Sequence, residues 1–287
     1  MGVAGRATRL VVNADDFGAF DRVSAGILDA IRAGAVTATG VMANGEALDR
    51  WLRPLLAEPG ADVGIHLNAT FGRPLTASLR RRFRAYGGEF PPKELLLARL
   101  VTGSLPVGAI ADEWRAQIRR CRLAGVRPSF LNSHEHVHAF PALARVALEL
   151  AREFEIPYVR APGPEWRAAA SPASHWRSAA LALARRFDTG LQGLPLLGLS
   201  ASGRIDDRYL AWRLPRLAPG GVYELMCHPG HRDPAAVADP RLSAYHDWEG
   251  ELRALTGGVF AELRRRHRIE LVRYSDLAVQ SCTGLAS

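Results

Sequence analysis

The sequence predicts an irregular (β/α) barrel of about seven parallel strands, in a single domain over residues 1–287. Three observations carry this. Short apolar runs alternate with amphipathic helical stretches, the pattern of a parallel sheet wrapped by helices. Polar residues end six separate runs, at Asp15-Asp16, Asn44, His66 to Asn68, His134, Arg160 and His228. A barrel gathers all such ends on one face, whereas an open doubly wound sheet binds its ligand at a single crevice. The chain has 287 residues, a length that barrels commonly use as one domain, and no repeat, low-complexity tract or polar linker divides it. With seven strands counted, the barrel is expected to be irregular or incompletely closed.

The elements follow in order. The first strand-like run, 10–14, leads into Asn-Ala-Asp-Asp-Phe-Gly. Residues 21–33 then carry apolar positions at three- and four-residue spacing, as a helix with one buried face does, and Gly34 ends it. Runs at 37–43 and 62–67 follow. A long amphipathic stretch at 109–124 closes at Gly125. Further strands are expected at 129–132, 157–160, 222–227 and 269–273, with helices at 141–154 and 249–267 between them. The interval 162–217 breaks the rhythm and reads as an insertion. It holds Trp166, Trp176, an Ala/Leu-rich helix near 175–186 and the glycine-punctuated segment 189–203, the composition of an elaboration or lid over the barrel mouth.

Composition narrows the classes. Hydrophobic residues make up 48% of the chain and charged ones 23%, an ordinary soluble balance. Cys121, Cys227 and Cys282 are far apart and odd in number, so they form neither a disulfide framework nor a zinc ribbon. Residues 1–8 contain no apolar signal core, and the expected location is the cytoplasm. The net charge of +8 raises nucleic acid as a partner. However, no helix-turn-helix pattern or aromatic-interleaved basic platform accompanies it, and a nucleic-acid role is set aside. Lys93 is the one lysine among 37 basic residues. The arginine run at 80–84 reads as a solvated face that can also touch a membrane surface.

The chemistry is concentrated at the strand ends. His134, His136 and His138 place three imidazoles behind a strand-like run, and imidazole is both the commonest side-chain metal ligand and a proton carrier near neutral pH. Spacing of i, i+2 aligns all three on a continuing strand, whereas a helix would align His134 with His138. Spacing does not decide which of them ligates. Asp15 and Asp16 point in different directions if the strand continues, leaving one carboxylate for a metal and the other for a proton; the same tetrapeptide is also good turn composition. His66 and Asn68 share a face of an extended strand. His228 lies between Cys227 and a Pro-Gly turn, and Arg160 ends its own strand. His175, His231, His246 and His267 have no comparable setting and are assigned to the surface.

Four motifs in this order, Asn-Ala-Asp-Asp-Phe-Gly at 13–18, Gly-Ile-His-Leu-Asn-Ala-Thr-Phe-Gly-Arg-Pro-Leu at 64–75, Ser-His-Glu-His-Val-His at 133–138 and Cys-His-Pro-Gly at 227–230, resemble those of the YdjC/ChbG carbohydrate deacetylases. The resemblance implies a barrel of the glycoside hydrolase/deacetylase type, one divalent metal ion per chain (zinc or magnesium) and removal of N-acetyl groups from amino sugars. By position it implies metal ligands Asp16, His66 and His134, with Asp15 as general base. His228 is then the candidate to protonate the leaving nitrogen, and Asn68, His136, His138 and Arg160 are candidate substrate contacts. Arg160 is alternatively placed to orient Asp15. The region 162–217 is more similar to the hopanoid-biosynthesis-associated branch than to the chitooligosaccharide enzymes, implying an N-acetylglucosaminyl hopanoid as one candidate substrate. The apolar stretch 191–199 could then shield a lipid chain or rest on a membrane, or equally serve as a lid or homodimer contact. The competing readings are another metal-dependent barrel hydrolase, such as a PHP-type phosphoesterase with several metals, and a sugar-binding protein without catalysis.

Overall fold

The computed structural model describes residues 6–277 apart from 169, 185, 188, 233–236, 238 and 239. Cys282 and residues 1–5, which entered the sequence expectations, lie outside the described residues. Eight strands pair, all in parallel: β1 (Thr8–Phe17), β2 (Ala38–Val41), β3 (Asp62–Leu67), β4 (Phe130–Ser133), β5 (Tyr158–Val159), β6 (Leu196–Leu197), β7 (Val222–Cys227) and β8 (Ile269–Leu271). Their order is β5-β4-β3-β2-β1-β7-β6, with β8 also on β1. Strand β7 takes one edge of β1 over residues 9–14. Strands β8 and β2 divide the other edge, β8 at residues 8–10 and β2 at residues 13–17. Among the described residues β5 and β6 do not pair, and the barrel is incompletely closed there. Backbone fills the seam, since a Cβ on Gly193 would lie 2.9 Å from the Val159 carbonyl oxygen.

The helices are α1 (Asp21–Arg32), α2 (Leu48–Leu56), α3 (Ala77–Arg82), α4 (Lys93–Val101), α5 (Val107–Leu123), α6 (Pro141–Glu153), α7 (Pro172–Ala184), α8 (Asp207–Arg213), α9 (Pro240–Tyr245), α10 (Trp248–Thr256) and α11 (Gly258–Arg266). Gly34 and Gly125 adopt φ of 66° and 96° just past α1 and α5, a left-handed conformation that favours glycine at helix ends. Two expectations change. The interval 162–217 is more than an insertion, because it contributes the barrel strand β6 as well as α7 and α8. The helix expected over 249–267 is two helices, broken where Gly257 turns extended at ψ 166°. None of the helices among the described residues is long and apolar enough to cross a membrane.

Strand alternation sorts the side chains. In β1, Leu10, Val12 and Ala14 face the helices in the main core, while Val11 belongs to a second cluster with Ala38, Phe130, Tyr274 and Leu277. That second cluster plugs the N-terminal part of the barrel interior. One layer further up, the inward positions become polar: Asn13 donates to Glu224 at 3.0 Å. A further layer up are Asp15, His66 and Asn132. The site therefore sits on an apolar floor at the C-terminal ends of the strands, as the barrel reading requires.

Candidate metal centre and active site

Alternation along β1 would send Asp16 outward, opposite to Asp15. Instead the register with β2 shifts between Ala14 and Phe17, and Asp16 takes φ 67°. A bulge of this kind re-aims a side chain, and both carboxylates line one cavity of about 310 Å³ together with His66, His134, His136 and His228. One ligand atom from each of Asp16, His66 and His134 lies within 4.8 Å of the others. Asp16 Oδ1 is 3.1 Å from His66 Nε2 and 2.9 Å from His134 Nδ1. Burial would raise the Asp16 carboxyl, but His134 and His66 hold it well below the usual range; burial would lower His134, and Asp16 raises it.

The tautomer of His66 follows from its neighbours. The ionised Asp15 carboxylate only accepts, so Asn132 turns its amide N–H toward Asp15 Oδ1 at 2.8 Å. The Asn132 carbonyl oxygen is thereby left facing His66 Nδ1 at 2.8 Å, and Nδ1 must carry the proton. That leaves His66 Nε2 as the ring nitrogen directed at Asp16 and at a cation bound there, the arrangement in which a metal-ligating histidine is fixed by its other nitrogen. An acid oxygen and two imidazole nitrogens converging in this way fit a divalent cation of the zinc type.

Asp15 is held differently. Arg160 reaches its two oxygens at 2.5 and 2.9 Å and donates through Nε to Glu224 at 2.7 Å. Burial works to raise the Asp15 carboxyl, but Arg160, with help from His66, brings it down to about 2. Burial likewise works to lower the Arg160 guanidinium, and its two counter-ions push it up. The Arg160 side chain is 0% exposed, and its guanidinium is spent on Asp15 and Glu224.

The three imidazoles behind β4 separate because Glu135 and His136 are both left-handed, at φ 51° and 56°. His134 goes to Asp16 and His136 to the cavity wall, where burial holds it well below the ordinary imidazole range. His138 is fully buried. Its Nε2–H donates to the Arg160 carbonyl at 2.9 Å, and its Nδ1 is 2.6 Å from Ser133 Oγ. Burial lowers it to about 3, so Nδ1 is unprotonated and the Ser133 hydroxyl donates to it. Asn68 is also fully buried. Its amide donates to Asn44 and to the Phe71 carbonyl, and its oxygen accepts from the N–H groups of Thr70 and Phe71. The polar atoms of Asn68, His138 and Arg160, expected from sequence to meet substrate, are engaged within the fold.

His228 follows β7 on a loop pinned from three sides. Gly230 N–H donates to the Trp248 carbonyl, His231 N–H to that of Arg22, and His228 N–H to Glu251. A Cβ on Gly26 of α1 would lie 2.5 Å from the Gly230 backbone, so this helix must be bare there. Burial lowers His228, and its buried Nδ1 has no hydrogen-bond partner among the described residues. Beneath it, burial pushes the Glu251 carboxyl up to about 8.

Sequence reasoning did not assign Asn132, Glu224, Glu251, Arg177 or His246. His246, placed at the surface by sequence, lines the cavity, lies 4.9 Å from the His228 ring and stacks on Trp248. Glu224 did leave a signal, because a carboxylate in the middle of an apolar strand must have a buried partner. Glu251 left none, since a Glu on an amphipathic helix reads as surface.

A curled parallel (β/α) barrel with an Asp-His-His cluster at its strand ends is the class that fold and site define. The family model for YdjC-like proteins matches residues 9–266, and the chain belongs to that family. It is 29% identical over 269 residues to a protein of Brevibacillus brevis named carbohydrate deacetylase, covering 94% of this chain and 99% of the relative. A Geobacillus stearothermophilus protein of the same name is 32% identical over 225 residues, covering 78% and 80%. A solved structure from Enterococcus faecalis V583, provisionally described as a cellobiose-phosphate cleavage protein, superposes with a TM-score of 0.74 over 94% of this chain and 99% of its own, at 24% identity. At that identity it speaks for the fold.

Proposed function

We propose that this protein is a metal-dependent carbohydrate N-deacetylase, hydrolysing the acetamide of an N-acetylglucosamine-containing sugar or glycolipid. The observation that carries the reading is the Asp16–His66–His134 cluster with a second, separately held carboxylate beside it, in a chain whose relatives are named carbohydrate deacetylases. Asp16, His66 and His134 would hold one divalent cation, zinc or magnesium. Bound there, it lowers the pKa of water and polarises the acetyl carbonyl.

The chain's own residues supply the rest. Asp15, kept ionised by Arg160, accepts the proton of the attacking water. Asn132 couples Asp15 to His66, so that base and ligand keep a fixed relation. His228 gives a proton to the departing nitrogen; burial that lowers its pKa makes its protonated form a stronger donor. His136 and His246 line the wall that the sugar meets. Among the described residues there is one such ligand cluster, which favours this reading over a phosphoesterase with several metals.

The test is acetate release from N-acetylglucosamine, chitobiose and an N-acetylglucosaminyl hopanoid, with and without chelator. Chelator-sensitive release is expected, and the preferred acceptor selects between soluble and lipid-linked sugars. Sugar binding without acetate release from any of them would replace the reading with a binding protein.

A further inference from the structure

The loop that carries His228 leans on the first turn of α10. Gly230 N–H donates to the Trp248 carbonyl, and Asp247 N–H, just before the helix, donates to the Gly203 carbonyl at 2.7 Å. One turn further on, the fully buried Glu251 joins both sides through its carboxyl. It accepts from His228 N–H and, at 3.1 Å, from Ile205 N–H. Ile205 closely follows Leu199 and Ser202, which wall the metal cavity. The His228 ring turns toward the same carboxyl: its Nδ1, without a hydrogen-bond partner among the described residues, lies 4.0 Å from Glu251 Oε1. Around this ring also stand Asp15 and Asp16 from β1, His66 from β3, Arg160 after β5 and His246 before α10. The two aspartates are committed elsewhere, Asp15 to Arg160 and Asp16 to His66 and His134. Glu251 pairs with no Lys or Arg among the described residues.

We propose that Glu251 is the positioning residue of the acid step, fixing the backbone of His228 and exchanging a proton with its Nδ1, so that Nε2 presents its own proton to the departing nitrogen; the proposal rests on the deacetylase reading above. The two ring nitrogens are distinct, and with Nδ1 turned to α10, Nε2 is the one left for the cavity. A hydrogen bond from 4.0 Å needs a closure of about 1 Å, and catalytic hydrogen bonds commonly tighten when substrate is bound. Burial disfavours an imidazolium at His228. While the ring is neutral, burial also keeps a proton on Glu251, whose carboxyl is pushed up to about 8. In the step the C–N bond breaks and its electron pair stays on nitrogen. That nitrogen takes the Nε2 proton as Nδ1 takes the proton of Glu251, leaving a carboxylate that faces Nδ1–H. Nε2 then regains a proton from solvent, the Nδ1 proton returns to Glu251, and Asp15 releases to solvent the proton it took from water.

The test uses the metal-loaded full chain with Glu251→Gln, His228→Gln and the double variant. Two substrates are compared: an N-acetylglucosaminide, and para-nitrophenyl acetate, whose phenolate leaves without needing a proton. Glu251→Gln should keep one metal per chain and a KM near that of the wild type, and lower kcat on the amide by about 10²-fold, within the range for lost acid assistance. The amide-to-ester ratio of chelator-sensitive kcat should fall by at least about tenfold. Glu251→Gln should add little to His228→Gln, because the two residues serve one proton transfer. Equal losses on both substrates, or fully additive losses in the double variant, would overturn the proposal and leave Glu251 a support of the fold. Nitrogen NMR of histidine-labelled wild-type protein, with zinc, glucosamine and acetate present, covers the case in which Glu251→Gln does not fold. The His228 Nδ1 signal should be that of a hydrogen-bonded nitrogen, and a bare Nδ1 would overturn the proposal. A bonded Nδ1 in a wild-type protein that releases no acetate from any N-acetylated sugar would uphold the pairing and overturn the deacetylase reading.

Discussion

Arg160 grips Asp15 by both oxygens, whereas Asp16 faces two imidazole nitrogens, so the same substitution at these neighbours should fail in different ways. Asp15→Asn should keep close to one metal per chain and lower kcat by about 10²–10⁴-fold, the range for loss of a general base. It should also lower the thermal midpoint, because buried Arg160 loses one of its two counter-ions. Asp16→Asn should lose the metal itself. Elemental analysis beside acetate assays separates the two, and near wild-type turnover in Asp15→Asn would remove that residue from the base role. Glu251 gives a test with a defined sign. Its folded pKa of about 8 lies above the ordinary 4.5, so between those values the native state binds more protons than the unfolded one. Stability from this group is then highest below about 4.5 and declines as pH rises toward about 8. Glu251→Gln is neutral throughout and lacks that decline. The variant-minus-wild-type difference in Tm should become more positive by several degrees between about pH 5 and pH 8.5; a difference that stays flat would mean that Glu251 does not titrate there.

Strand β3 shows how an element can serve the site through a residue with no chemistry. A Cβ on Gly64 would lie 2.5 Å from the Phe130 ring, and His66 two residues later points into the same interior. Gly64→Ala should therefore cost about 1–3 kcal/mol, the usual scale of overpacking, and weaken metal affinity by tilting His66. Denaturant unfolding with and without metal would measure both, and an unchanged midpoint would show that Phe130 yields without cost. Strands β3 and β7 coincide with the runs read from sequence, because each is an apolar stretch with clear ends. Strand β6 escaped because it spans two residues in a run of leucines without alternation. The histidine cluster was legible as a cluster, but its division among metal, cavity wall and interior depends on two successive left-handed residues, which ordinary side chains seldom adopt. The same holds for Asp16: composition announces two acids, and only the bulge turns both into one cavity. Partners such as Glu224 and Arg160, 64 residues apart in the chain, depend on strand order, which local patterns do not encode.

The candidate ligands come from β1, from β3 and from the turn after β4, segments brought together by the closed part of the barrel and by nothing local. A cation that binds this arrangement and not the unfolded chain must stabilise the whole domain, by RT ln(1 + [M]/Kd), or about 2.7 kcal/mol at a hundredfold excess over Kd. For domains near this size, each kcal/mol moves Tm by about 2–4 °C, so metal addition should raise Tm by roughly 5–10 °C and chelator should reverse the rise. The same titration on Asp16→Ala or His66→Ala should give no shift, whereas Asp15→Asn should keep most of it. Comparing zinc with magnesium adds discrimination. An imidazole-rich set favours zinc, although zinc also binds histidine and cysteine in the unfolded chain and so stabilises by less than its affinity alone predicts. A Tm rise that persists in both ligand variants would place the cation elsewhere on the molecule, and with it would go the assignment of Asp16, His66 and His134.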